Sequence, residues 1–378
     1  LNDSRISSYF TAADDGEYHG VRIGITTSNM SNYQGNKISN LNISDIVMIY
    51  KDGTRMVAVL TDYKGNPIAN ATVYFTINGA TYAKTTDANG TASMGLNLLS
   101  NIYEATVSYN GSDMYDGVSK NITVTINPTI LSEDISLMYM DGTSFVAKFL
   151  DKSGKALVNT KITFNINGVF YDKVTDADGM AKLGIRLRPD VYILTAYNPV
   201  TGEEKGFNIN VKSLIESHDL TKYYLNESRY EVTLYNKDGS LAVNKTVTFN
   251  INGVFYTKTS DANGVASLGI SLRPGEYIIT TIFDGLSMGN KVTVLPTLVT
   301  HDLTMKYMDG SRFTVQTLDG QGKALSNQNV SFNVNGVFYY RTTDSNGMAD
   351  LLIRLMPGEY IITSYCNDFQ TGNTIKIA

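Results

Sequence analysis

The chain repeats itself four times, and that repetition limits the fold more than any other feature of the sequence. Asn-Gly pairs stand at 78/79, 167/168, 252/253 and 335/336, and nine residues after each Asn comes Asp87, Asp176, Asp261 or Asp344. Both series step by 89, 85 and 83 residues. The surrounding text is nearly constant: KITFNINGVFYDKVTDADGMAKLGIRL in the second copy matches TVTFNINGVFYTKTSDANGVASLGISL in the third. A unit of about 85 residues can hold one small core. Four similar domains are therefore expected, more than the two or three that 378 residues alone suggest.

Within each unit the apolar period is two, the signature of strands. Val73, Phe75 and Ile77 alternate with polar residues, as do Ile162, Phe164 and Ile166, then Val247, Phe249 and Ile251, then Val330, Phe332 and Val334. The Asn-Gly pair that follows suits a two-residue type I′ hairpin, whose two central residues both need φ > 0. After the Asp-x-x-Gly turn comes a second alternating run, Ala181, Leu183, Ile185 and Leu187 in the second copy. A turn at Pro-Gly or its substitute precedes Tyr103, Tyr192, Tyr277 and Tyr360, a placement resembling the corner tyrosine whose hydroxyl tethers a sandwich loop. Upstream, two strands flank an Asp-Gly turn in LMYMDGTSFVAKFL and MKYMDGSRFTVQTL, whereas the third unit reads YYLNESRYEVTL. A last strand closes each unit.

About seven strands per unit, turns every 8 to 12 residues and no helical period describe an all-β chain. The expected architecture is four tandem immunoglobulin-like β-sandwich domains forming an elongated rod, plus an N-terminal β segment. The boundaries fall at 1–40 for the N-terminal segment and linker, then at 41–127, 128–213, 214–296 and 297–378 for the four repeats. Residues 10–27 echo the end of the first unit, with Val21, Ile23 and Ile25 alternating as a final strand. They are either the last strands of a preceding, truncated repeat or a donor strand that adds to a neighbouring molecule.

Composition removes several functional classes. Lys+Arg 31 against Asp+Glu 36 gives a net charge of −5, so there is no basic face for nucleic acid. One cysteine and three histidines leave neither an internal disulfide nor a zinc cluster. No apolar run reaches the ~20 residues of a membrane helix, so no membrane insertion is expected within this stretch. No nucleophile, base and orienting acid recur at a useful spacing, so no catalytic residue, cofactor or enzyme activity is expected.

The combination of an INGxxYxxxTDANGxAxLxIxL core with a PGxY turn resembles bacterial immunoglobulin-like repeats of the invasin and intimin type. It resembles still more closely the tandem repeats of adhesin-like surface proteins of methanogenic archaea. The resemblance implies an extracellular, cell-surface stalk, adhesin or filament without catalysis. Its partners would be cell-surface or cell-wall components, glycans or other cells, with self-association into fibres as a further outcome. Surface repeats can also carry self-formed Lys-Asn or Thr-Gln crosslinks. The shared basic position is Lys84, Lys173 and Lys258 but Arg341, which excludes such a bond there in the fourth unit.

The candidate sites follow from this frame. Tyr82, Tyr171, Tyr256, Tyr339 and Tyr340 beside the hairpin turns, with Val21, Ile23 and Ile25, form the expected interaction residues; alternation equally puts the tyrosines at the sandwich edge. Asn70, Asn89, Asn110, Asn121, Asn226, Asn244 and Asn329 head Asn-x-Ser/Thr sequons, the acceptors of N-linked glycans. The Asp-x-Asp/Asn-Gly turns look like fragments of a calcium loop but lack its ligand series, so they read as turn chemistry. Asp45, Asp134, Asp219 and Asp302, near the unit junctions, read as solvated linker residues instead of metal ligands. Cys366 reads as a strand-end residue with a weakly reactive thiol.

Overall fold

The computed structural model of the protein describes residues 37–378. Val21, Ile23 and Ile25, and the choice between truncated repeat and donor strand, lie outside these residues. Among the described residues there is no helix, and the strands build four sandwiches, each of one three-stranded and one five-stranded sheet. In the first these strands are β1 (Ser39–Asn42), β2 (Ile46–Ile49), β3 (Arg55–Asp62), β4 (Thr72–Ile77), β5 (Ala80–Thr85), β6 (Thr91–Gly95), β7 (Asn101–Tyr109) and β8 (Val118–Asn127). Their sheet orders are β1-β3-β6 and β2-β8-β7-β4-β5. The same order recurs over residues 130–212, 215–295 and 298–377 as β9–β16, β17–β24 and β25–β32. All pairings are antiparallel except the second strand of each unit on its last, where Ile46 lies opposite Val124 and Ile135 opposite Ile209.

Each unit thus has eight strands where the apolar pattern shows about seven. The extra one is the short opening strand, two residues long in the second unit (β9, Ile130–Leu131) and too short to display a period. The chain divides into two compact units, one of the residues up to Thr129 together with Leu150–Lys155, the other of Ile130–Phe149 and Ala156–Ala378.

The alternating residues form the cores. Phe75, Phe164, Phe249 and Phe332 are fully buried at one level of their units. Phe164 packs edge-on against Phe145 across the sandwich, with ring centroids 5.6 Å apart, the geometry that the ring quadrupole favours. The Asn-Gly hairpins form as expected, with φ of 53° at Asn167 and 76° at Gly168. These are the two positive values a type I′ turn demands.

The Thr/Ser-Asp-x-x-Gly segment is consumed by local structure. Asp176 Oδ1 accepts the N–H groups of Asp178 (3.0 Å) and Met180 (2.9 Å), and Asp261 and Asp344 repeat the pattern. A side chain at Gly179 would sit 2.9 Å from the Phe149 carbonyl at a φ of 76°, so glycine is required there. The buried Thr175 just before donates to the Leu157 carbonyl (2.5 Å) and accepts the Thr160 N–H (2.9 Å), clamping the preceding loop. Thr86 and Thr343 do the same in their units. The corner tyrosines also form, Tyr103, Tyr192, Tyr277 and Tyr360 each donating to the carbonyl four residues back at 2.8–2.9 Å.

The junction aspartates differ from the expectation of a solvated linker. Asp45, Asp134, Asp219 and Asp302 accept backbone N–H groups of Thr123, Asn208, Lys291 and Thr374 on the last strand of the same unit, at 2.7–2.9 Å. They staple the break between the first two strands to the sheet that receives the second. The sequence hides this because the partners lie more than 70 residues away.

Candidate interaction face

The hairpin tyrosines do not form one strip. Cross-strand register pairs Tyr82 with Phe75, Tyr171 with Phe164, Tyr256 with Phe249 and Tyr339 with Phe332. These four therefore share the core-facing side of the sheet and form its rim, Tyr171 half-buried and the other three exposed. This is the sandwich-edge placement that alternation allowed. Tyr340 pairs with Ser331 and lies on the opposite, outward side, 70% exposed.

That outward side of the five-stranded sheet carries apolar residues which the sequence reading did not single out. On the edge strands β13 (Val169–Val174), β21 (Val254–Thr259) and β29 (Val337–Thr342), Phe170, Phe255 and Phe338 are 65%, 64% and 48% exposed. Register places each opposite Asn165, Asn250 or Asn333, and these in turn opposite Thr195, Thr280 or Thr363. Two residues along the same face come the exposed Ile193, Ile278 and Ile361. Phe170 lies 6.3 Å from Tyr197 and Phe338 6.2 Å from Tyr365, ring to ring.

Opposite the three threonines, on the last strand of each unit, stand Gly206, Gly289 and Gly372. A side chain there would meet Ile193 at 3.4 Å and Ile278 at 3.6 Å, and would meet nothing within 4 Å in the fourth unit. A glycine inside a strand weakens it and leaves the backbone there without a side chain to cover it. The outcome is a cross-strand row of glycine, threonine, asparagine and an aromatic ring, with an exposed isoleucine two residues from the threonine. The first unit lacks it: Thr76, Thr81 and Thr106 occupy the equivalent places, with Asn121 where the glycine stands. The signal was present in the sequence as NGVFY against NGATY, and as an even spacing of 83 residues between the three glycines.

The sequon asparagines are distributed unevenly. Asn70, Asn89, Asn110, Asn121, Asn244 and Asn329 are exposed. Asn226 is half-buried and its Nδ2, the nitrogen a glycan would take, donates to the Gly320 carbonyl at 2.5 Å.

Lys222 and Cys366 are also buried. Lys222 occupies the place of Met48, Leu137 and Met305; its ammonium donates to the carbonyls of Ile270 (2.8 Å) and Ser228 (3.1 Å), and burial pushes its pKa down. Cys366 ends β31 (Gly358–Cys366), and burial pushes its thiol up, away from the reactive thiolate. Among the described residues no group of three or more His, Cys, Asp or Glu side chains gathers as metal ligands. No helix of the described residues is long and apolar enough to cross a membrane.

No family model matches the chain. It is 24% identical, over an alignment of 328 residues, to the inverse autotransporter adhesin YeeJ of Escherichia coli strain K12; the match covers 73% of this chain but only 14% of that protein. Among solved structures, a Ca2+-stabilized adhesin that helps an Antarctic bacterium bind ice aligns with 90% of this chain and 99% of its own, at 18% identity and a TM-score of 0.19. Invasin, a bacterial integrin-binding protein, aligns with 90% of this chain and 78% of its own, at 15% identity and a TM-score of 0.21. The I9–I11 tandem of titin aligns with 68% of this chain and 99% of its own, at 12% identity and a TM-score of 0.24. The chain is an all-β tandem of immunoglobulin-like sandwiches, similar at low identity to bacterial adhesins.

Proposed function

We propose that the chain is part of a non-enzymatic, extracellular adhesin-like protein, its sandwiches bounded at about 41–127, 128–213, 214–296 and 297–378. The tandem forms a cell-surface stalk or fibre, and the glycine-bearing outer faces of its second, third and fourth units make the attachment. The observation that carries this reading is the threefold recurrence of Phe170, Phe255 and Phe338 in one cross-strand row with Gly206, Gly289 and Gly372, three strands across the same outer face. An exposed ring and isoleucine bordered by amide and hydroxyl groups suit a flat amphipathic partner, such as a glycan or another cell-wall component. The likeness to the adhesin YeeJ and the repeat text's resemblance to surface proteins of methanogenic archaea support the extracellular setting. In native material, glycans belong on the exposed sequons Asn70, Asn89, Asn110, Asn121, Asn244 and Asn329.

The test is binding of the chain to whole cells and to purified wall polysaccharide. Changing Phe170, Phe255 and Phe338 together to Ser should abolish binding without moving the melting temperature. Undiminished binding by the triple variant would end the assignment of this face.

A second reading has one observation in its favour. β13, β21 and β29 leave a Val-, Phe- and Tyr-bearing edge open, the kind of edge that accepts an added strand. Residues 1–27 of a neighbouring molecule would supply that strand and assemble a filament. Negative-stain electron microscopy of the chain with and without residues 1–40 separates the two: filaments that need the segment favour assembly, and single particles in both favour the stalk.

A further inference from the structure

The third unit breaks the repeat at the turn between its second and third strands, β18 (Leu220–Tyr223) and β19 (Arg229–Leu234). The other units place an Asp there, and both carboxylate oxygens are used within the turn. Asp141 Oδ2 accepts the Met138 N–H and Oδ1 the Thr143 N–H; Asp52 and Asp309 do likewise. In the third unit the residue is Asn226. Its Oδ1 keeps one of the two bonds, to the Ser228 N–H at 2.7 Å, while its Nδ2 turns away and donates to the Gly320 carbonyl of the fourth sandwich.

Gly320 is itself a departure. The equivalent positions hold Tyr63, Lys152 and Lys237. A side chain at Gly320 would come 3.4 Å from the Asn226 Cα, so that the two backbones already stand at the limit of van der Waals contact there. Two changes peculiar to this junction, amide for carboxylate on one side and no side chain on the other, thus meet at one hydrogen bond. Beside it Tyr224 meets Phe369 across the junction, ring centroids 5.5 Å apart. A cavity of about 240 Å³ lies between them, lined by Tyr224 and Leu225 from the third sandwich and by Leu298, Leu318, Cys366 and Phe369 from the fourth. A junction that is bolted by one polar contact and left underfilled beside it can open without melting either core.

We propose that Asn226 and Gly320 latch a joint between the third and fourth sandwiches, and that release of the latch opens the cavity and bares Cys366. The inference stands independently of what the outer faces bind. In a surface protein such a joint gives compliance at one chosen place while both sandwiches stay folded.

The one cysteine of the chain makes the joint measurable without added labels. The rate at which Cys366 reacts with iodoacetamide in the full chain reports how often the joint opens. Asn226→Asp restores the carboxylate that the other units use and puts an acceptor where the donor to the Gly320 carbonyl was. It should raise the rate about three- to ten-fold, the effect of one hydrogen bond on an opening equilibrium. Gly320→Lys, the residue of the unit before, should do the same from the other side, and the double variant should react no faster than the faster single one. In the parent chain the rate should stay flat in low urea, because opening the joint exposes little surface. Parent-like reaction of both single variants, multiplicative effects in the double, or a rate rising with urea as steeply as global unfolding would each overturn the proposal. Should Asn226→Asp melt the third sandwich, Gly320→Lys, which leaves that turn untouched, decides the matter.

Discussion

The hydroxyl of Tyr230 donates to Asn290 Oδ1 across 2.7 Å inside the third sandwich, and Thr281 Oγ1 lies 3.2 Å from the same hydroxyl. Ser217 Oγ also donates to Asn290 Oδ1, at 2.6 Å. The fourth sandwich has the same inward asparagine and hydroxyl, Asn373 and Ser364, but Phe313 stands where the tyrosine would be. Among the described residues, Ser364 Oγ and Asn373 Oδ1 have no hydrogen-bond partner. Burying a polar atom without a partner costs more than a made bond returns. The two sandwiches therefore solve one core position with different success.

An exchange of the two rings tests this. Tyr230→Phe should destabilise the third sandwich by about 1–3 kcal/mol, since it leaves the buried Thr281 Oγ1 without its partner and Asn290 Oδ1 with Ser217 alone. Phe313→Tyr should stabilise the fourth by up to about 1 kcal/mol. Hydrogen exchange resolved by sandwich would register both changes, and the opposite signs make the outcome hard to mistake.

The phenylalanines at the middle of each core carry much of its apolar burial. Phe164→Ala and Phe249→Ala should each cost about 3–5 kcal/mol, the usual price of a large cavity in a small core. Thermal melting of the single variants checks this, and a variant that melts with the parent would contradict the burial seen at both positions.

The threonine or serine before each aspartate turn should matter as much as the turn itself. Thr175→Val keeps the shape but removes a donor to the Leu157 carbonyl and an acceptor for the Thr160 N–H. The expected loss is about 1–3 kcal/mol in the second sandwich. Thr175→Ser should recover most of it, since Ser260 fills the same place in the third unit and also bonds to two backbone groups. Urea midpoints of the two variants against the parent give the comparison.

Acid should loosen the staples. The Asn208 side chain and N–H hold the Asp134 carboxyl below the usual carboxylate range; the Lys291 N–H followed by the Asn290 amide does so for Asp219, and the Thr374 N–H followed by the Asn373 amide for Asp302. A carboxyl whose folded pKa is depressed binds its proton more readily when unfolded. Its contribution is thus complete above the unfolded value of about 3.9 and lost as pH falls through the folded one. Stability should be flat toward neutral pH and decline below about pH 4. In the triple variant Asp134→Asn, Asp219→Asn, Asp302→Asn that acid slope should shrink, which denaturation curves at stepped pH would reveal.

What was legible in the sequence was whatever is local. A period of two, an Asn-Gly pair and an Asp-x-x-Gly turn act over a few residues, so strands, hairpins and the inward residues Phe75, Phe164, Phe249 and Phe332 could be read directly. The tyrosine corner was legible for the same reason, its acceptor being four residues away. Strand β9 was not, because two residues cannot show a period. Which face of an edge strand looks outward depends on pairing with a partner strand, and a shift of one residue reverses it. Only the register therefore separated Tyr171 and Tyr256, on the core side, from Phe170 and Phe255, on the open side. The staples from Asp134 to Asn208, and the bond from Asn226 to Gly320, join residues 74 and 94 positions apart. No local pattern encodes such a pair; it exists only once both sheets have closed and the next sandwich has docked.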